Sequence, residues 1–238
     1  MNNFLIDYYS SQMEKRKYRS YTILGIWKGI HGLCKSFVEE HIMNFDKCAG
    51  MYHFLRRNGV KEYTLLKQAG KFKKTDRILE VGGGTGAVAG HFAPEVKEVT
   101  VLDPSTKMLE KIKDPCIRKK IGSCQKIPFK NETFDVVYVV DALHHFTNGY
   151  EKKDWSQQMN ICAKELLRVL KKNGQLLIVE FNPDTLVGKL IAFFENGIVG
   201  FGSLFFTPTA LQKLFSTQAN IKVFYSESFC YVIKIVKK

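Results

Sequence analysis

Arg77-Ile78-Leu79-Glu80-Val81-Gly82-Gly83-Gly84-Thr85-Gly86 decides the fold of this 238-residue chain. Ile78 to Val81 reads as a short buried strand, and glycines follow it directly, just ahead of a helical stretch from Gly86 to Phe92. Glycine tolerates positive φ and lets a ligand lie almost against the backbone, so a strand, a glycine turn and a helix in that order predict a ligand crevice at the carboxyl edge of a sheet.

Working outward, short β-branched runs alternate with helical stretches. Val99-Leu102, Phe134-Val140 and Leu176-Glu180 read as further buried strands, with helices predicted from Ser105 to Lys113 and from Trp155 to Leu170. Parallel strands need long crossovers, so the pattern predicts an α/β parallel sheet with helices on both faces. Lys222-Tyr225 and Phe229-Val236 are separated only by Ser226-Glu227-Ser228, too little for a crossover, and predict an antiparallel C-terminal hairpin on the sheet edge. Residues 1–75 contain no proline, and Ile23, Ile26, Ile30 and Leu33 recur at helical spacing, which predicts a helical N-terminal extension ahead of a main domain at 76–238.

The glycine turn alone is ambiguous, because Gly82-x-Gly84-x-x-Ala87 also satisfies the dinucleotide fingerprint. Glu80 argues against a diphosphate, which its carboxylate would repel, and favours a ligand with an amino group. Asp103 closes the second strand at the distance from the glycines suited to gripping ribose hydroxyls, a feature both readings share. Ile127-Pro128-Phe129 followed by Phe134-Asp135 supplies the third discriminating feature.

With these residues in hand the chain resembles the class I S-adenosylmethionine-dependent methyltransferases, specifically the subgroup that includes the ubiquinone/menaquinone C-methyltransferases. The resemblance runs from about Phe45 to Lys172. Phe45-Asp46-x-x-Ala49-x-x-Tyr52 looks like that subgroup's N-terminal motif, whose tyrosine lies near the cofactor. Leu79 to Gly86 matches the cofactor turn, Asp103-Pro104-Ser105-x-x-Met108-Leu109 the ribose and adenine wall, and Gly122-Ser123-Cys124-Gln125 the adenine loop. Leu166-x-Arg168-Val169-Leu170-Lys171-x-x-Gly174 matches the helix and turn before the fifth strand.

The resemblance implies a Rossmann-like seven-stranded sheet and S-adenosyl-L-methionine as cofactor, with S-adenosyl-L-homocysteine as product. It implies cofactor contacts at Tyr52, Glu80, Gly82, Gly84, Gly86, Asp103, Pro104, Met108, Ser123, Cys124, Asp141 and His145. Ser123 stands where the family usually has an aspartate for the adenine amino group, and a hydroxyl forgoes charge assistance there.

The family's cofactor and acceptor meet at the end of the fourth strand, here Val140-Asp141-Ala142-Leu143-His144-His145-Phe146. An imidazole titrates near neutrality, so His144 is the candidate catalytic base, set against capping of the next turn or packing. No metal is expected: consecutive histidines seldom converge on one ion, and no supporting carboxylate cluster is evident in the sequence.

After the fifth strand, residues 183–208 form a greasy insertion with Leu186, Leu190, Ile191, Phe193, Phe194, Phe201, Leu204, Phe205 and Phe206. A small lipophilic or aromatic acceptor is expected under such a lid, against the alternatives of core packing or a dimer interface. The net charge is +13, and residues 1–75 hold 14 Lys/Arg against 6 Asp/Glu, with Lys15-Arg16-Lys17-Tyr18-Arg19 as the densest run. An anionic membrane surface is one partner such a front end suits; nucleic acid is less favoured, because the Asn/Asp-Pro-Pro-aromatic signature of base amino-methylating enzymes is absent after the fourth strand. RNA methylation and a non-catalytic methyltransferase-like binding subunit remain the alternatives. Six scattered cysteines suggest neither zinc nor a disulfide framework, and the N-terminus lacks the order of a signal peptide, so a cytoplasmic chain is expected, resting at most on a membrane.

Overall fold

The computed structural model describes residues 58–193, 195–196, 202–216, 219–225 and 229–238. Tyr52 with its motif, the basic run at 15–19 and nearly all of the N-terminal extension lie outside the described residues. Of residues 1–75, the described part holds one helix, α1 (Val60–Ala69).

Seven strands make one sheet: β1 (Arg77–Val81), β2 (Glu98–Asp103), β3 (Ile117–Ile121), β4 (Phe134–Val140), β5 (Leu170–Phe181), β6 (Ala219–Tyr225) and β7 (Cys230–Lys237), in the order β3-β2-β1-β4-β5-β7-β6. Strands β1 to β5 pair in parallel, and β7 runs antiparallel to both β5 and β6. The C-terminal hairpin expected from the short gap is therefore present, with β6 at the edge. Strand β3 is one that the sequence pattern does not reveal. Its Ile-Arg-Lys-Lys-Ile run is exposed after the first residue, as suits an edge strand kept from pairing by charge.

Side-chain alternation along the central strands divides the core. Leu79, Val137, Val139, Leu176 and Ile178 face one side, against Leu166 of α4 (Trp155–Val169) and Leu211 and Phe215 of α6 (Pro208–Phe215). Ile78, Val136, Tyr138, Leu177 and Val179 face the other, against Leu66 of α1 and Phe92 of α2 (Ala89–Phe92). The buried residues of α4, among them Met159, Cys162, Ala163 and Leu166, recur at helical spacing, which fixes which stripe meets the sheet. Two helices are shorter than their apolar patterns predict: α2 begins at Ala89 rather than Gly86, because the glycine turn occupies the intervening residues. The next, α3 (Thr106–Glu110), stops before Lys113 and is capped by Ser105, whose hydroxyl accepts from Met108 N–H at 3.1 Å.

The chain moves outward from β1 to β2 and β3, then returns to lay β4 on the other side of β1. That reversal leaves a crevice at the carboxyl ends of β1 and β4, the place where open α/β sheets bind ligands. Among the described residues no helix is long and apolar enough to cross a membrane.

Candidate functional site

The glycine turn leaves β1 through a backbone that other residues could not follow. Gly82, Gly84 and Gly86 sit at φ of 72°, 53° and 70°. A Cβ on Gly82 would lie 2.8 Å from the Ala142 Cβ, so the turn presses against the segment after β4. Gly82 N–H donates to Leu102 O at 2.7 Å, which ties the turn to the end of β2.

Asp103 completes that tie. One carboxylate oxygen accepts from Gly84 N–H at 2.9 Å and the other from Ser105 N–H at 2.8 Å. One buried acid thus shapes the turn from both of its oxygens. Of its neighbours, Pro104 is exposed and Met108 buried. Gly122 N–H donates to Asp103 O at 3.2 Å, which brings half-buried Ser123 and buried Cys124 next to this tip.

The loop carrying Ser123 is held from outside the crevice. Arg168 donates to Ile127 O and Phe129 O at 2.8 Å each, and its guanidinium also binds Glu165, which in turn accepts from Ile127 N–H at 2.8 Å. Gln125 Nε2 donates to Phe146 O at 2.5 Å, linking the same loop to the turn after β4.

Glu80 lies buried beneath the glycines, with its carboxylate 3.3 Å from the Tyr138 hydroxyl. Burial pushes its pKa up from the ordinary 4.5 to about 8, against the Tyr138 hydroxyl and the Ala89 N–H, which favour the charged form; the nearby Asp103 charge adds to the rise. A group that is mostly neutral near pH 7 repels a diphosphate weakly, so Glu80's charge is a poorer argument against dinucleotides than the sequence suggests.

Asp141 is buried and adopts φ 45°, a left-handed conformation rare outside glycine and a form of strain that clusters at functional sites. The 3-10 turn Leu143–His145 follows it. His144 is 1% exposed, and its Nδ1 lies 2.7 Å from Glu180 Oε2 at the end of β5. The other oxygen of Glu180 accepts from Leu143 N–H at 2.8 Å, so this acid is fixed at both ends. His144 Nε2 faces Glu195 Oε2 at 3.7 Å, and its ring stacks on Phe205 with centroids 4.7 Å apart. Burial opposes the imidazolium, yet Glu180, with Glu195 and Asp141, offsets that and holds the His144 pKa above its ordinary value. His145 Nδ1 lies 3.2 Å from Ser203 Oγ, which donates to Glu195 Oε2 at 2.8 Å.

Glu80, the glycines, Asp103, Ser123, Asp141 and both histidines thus lie at or just after the carboxyl ends of β1, β2, β3 and β4. Sequence reasoning missed Glu180 and Glu195, because they reach His144 from distant strand and loop positions. It also missed Thr147, whose buried hydroxyl has no hydrogen-bond partner among the described residues. A turn of left-handed glycines that added side chains would strain, a buried acid that braces it and a buried hydroxyl with no partner among the described residues together suit a polar ligand. Cys116, Cys124, Cys162 and Cys230 form no disulfide among the described residues.

Residues 79–178 match the model of the "Methyltransferase domain" family. The chain is 29% identical over 161 residues to a ubiquinone/menaquinone biosynthesis C-methyltransferase of Neisseria meningitidis, covering 64% of this chain and 58% of that protein. It is 26% identical over 123 residues to an uncharacterized methyltransferase of Bacillus subtilis, covering 49% of this chain and 45% of that protein. The matches thus span roughly half the length of these relatives. In fold, the chain is similar to a SAM-dependent methyltransferase from Thermotoga maritima, with a TM-score of 0.65, 22% identity, and coverage of 82% of this chain and 98% of that one.

Proposed function

We propose, from the match of residues 79–178 to the methyltransferase-domain family, that the chain transfers a methyl group from S-adenosylmethionine to a small lipophilic or aromatic acceptor. The observation that supports the reading is the left-handed glycine turn at the carboxyl end of β1, braced by the two oxygens of Asp103 at the end of β2. Glycines 82, 84 and 86 give the donor its backbone approach, Asp103 takes the ribose, Ser123 and Cys124 flank the adenine, Met108 backs that wall, and Glu80 and Asp141 meet the methionine end. The bound donor supplies an electrophilic methyl on a sulfonium. The chain's own residues then align the acceptor, keep water out and take up its proton where it carries one.

His144 is the proposed site for that proton. Its Nδ1 is held by Glu180, which leaves Nε2 as the nitrogen able to work, and Glu195 opposite it steadies the imidazolium. A histidine with a raised pKa is a base only at pH values above that pKa, so the rate should climb with pH and flatten beyond the titration of His144.

The apolar acceptor is supported by α5 (Leu186–Phe193), which follows β5 and exposes Leu186 at 75% and Leu190 at 59%, with Val187 and Phe193 beside them. The same face and the basic run at 15–19 suit an anionic lipid surface from which such an acceptor would be drawn. Labelled S-adenosylmethionine incubated with the protein and fractionated cell extract tests the reading. Organic-extractable label supports it, while label recovered in RNA, or no label despite cofactor binding, replaces it with the RNA or binding-subunit alternative. Flotation with phosphatidylglycerol vesicles tests the surface: a wild type that stays at the bottom removes the membrane from the account.

A further inference from the structure

We propose that His144, His145 and Glu195 form a binding site for one divalent transition-metal ion of the zinc type. The three side chains offer one ligand atom each, two imidazole nitrogens and a carboxylate oxygen, all within 4.8 Å of one another. Consecutive histidines converge here because the 3-10 turn sets their ring centroids 4.1 Å apart, with His144 Nε2 facing Glu195 and His145 Nδ1 lying 3.2 Å from Ser203 Oγ and 3.3 Å from Asn148 Nδ2. The carboxylate that the sequence does not reveal arrives from residue 195, and Ser203 Oγ holds it by donating a hydrogen bond at 2.8 Å.

Two features point to an ion beyond the hydrogen bonds that Ser203 makes to His145 and Glu195. The 3.7 Å between His144 Nε2 and Glu195 Oε2 is too long for a hydrogen bond. It falls in the range for two ligands bound to one zinc at about 2.0–2.2 Å, and drawing in all three ligand atoms needs movements of about 1 Å or less. The second is Glu180, which engages His144 Nδ1 at 2.7 Å and is itself anchored by Leu143 N–H. A carboxylate on the far nitrogen of a ligating imidazole fixes the tautomer that turns the near nitrogen's lone pair toward the metal. Two imidazoles with one carboxylate suit zinc or cobalt and leave a coordination position open. On the methyl-transfer reading, a metal-bound His144 Nε2 cannot take up a proton, so base and metal ligand are alternative uses of that nitrogen; with the ion bound, the open position selects acceptors that bind as a phenolate, enolate or carboxylate oxygen.

The test is direct metal binding by chelator-treated, refolded-free protein, read by equilibrium dialysis against zinc and by the visible absorption of cobalt. One equivalent of metal is expected, with the cobalt bands of a four- or five-coordinate site. Glu195→Gln and His145→Ala should each weaken binding at least about tenfold, and Glu180→Gln about ten- to a hundredfold, while His91→Ala, remote from the cluster, should bind as wild type. Circular dichroism establishes that each variant is folded, and Glu195→Gln is isosteric at a partly exposed position. Absence of binding by the wild type, or unchanged binding by folded Glu195→Gln and His145→Ala, overturns the site. Calorimetry of the same chelated protein with S-adenosylhomocysteine reads the cofactor crevice separately, so the two proposals fail independently.

Discussion

Asp103 braces the glycine turn through Gly84 N–H and, on the proposed reading, takes the ribose of the cofactor. Asp103→Ala should therefore weaken S-adenosylhomocysteine binding by roughly 1–3 kcal/mol, the cost of removing a charged hydrogen-bonding group; an unchanged dissociation constant in calorimetry would contradict the assignment. Glu80 makes a pH prediction of unusual sign. Its folded pKa of about 8 stands above the ordinary 4.5, so the native state holds this proton more tightly than the unfolded chain. The stability it contributes is complete below about pH 4.5 and is lost as pH rises through about 8, by at most roughly 1.4 kcal/mol per pH unit. Glu80→Gln removes that slope, so urea midpoints at pH 5 and pH 9 should differ less in the variant than in the wild type. Parallel pH profiles would show that Glu80 is not a buried neutral acid.

At the scale of elements, the loop between β3 and β4 depends on Arg168 in α4. That side chain donates to two loop carbonyls and to Asn131 Oδ1 while paired with Glu165. Arg168→Ala should cost about 2–3 kcal/mol and lower Tm by about 4–12 °C; Arg168→Lys keeps the charge but not the fork and should recover only part of it. Full recovery by lysine would mean that charge rather than geometry holds the loop. The strands that sequence reading finds, β1, β2, β4, β5 and β7, are those whose apolar runs are buried, because burial is what writes a pattern, while edge strand β6 shows through its alternation of exposed and half-buried residues and its short link to β7. β3 is hidden because an edge strand needs no such run, and Arg118 to Lys120 look like a loop. The glycine turn, Asp103 and the histidine pair were legible because their chemistry lies within short local motifs. Glu180 and Glu195 were not, since one sits inside an ordinary strand and the other in a greasy insertion, and only folding brings both to His144.

Across the whole molecule, one crossover reversal brings together every group the reading uses: the turn after β1, the acid after β2, the histidines after β4 and Glu180 closing β5. Asp141 with its left-handed backbone and the buried Glu80, His144 and Glu180 all lie toward that edge, while most of the side chains packed on the two faces of the sheet are apolar. A ligand that fits this crevice stabilises the native state by mass action, so S-adenosylhomocysteine should raise Tm and NAD should not. The most direct test of the central claim is isothermal titration of the full chain with S-adenosylhomocysteine. A saturable heat at one site per chain, weakened in Asp103→Ala, is the predicted result. A folded wild type that gives no heat with either this product or S-adenosylmethionine would contradict it.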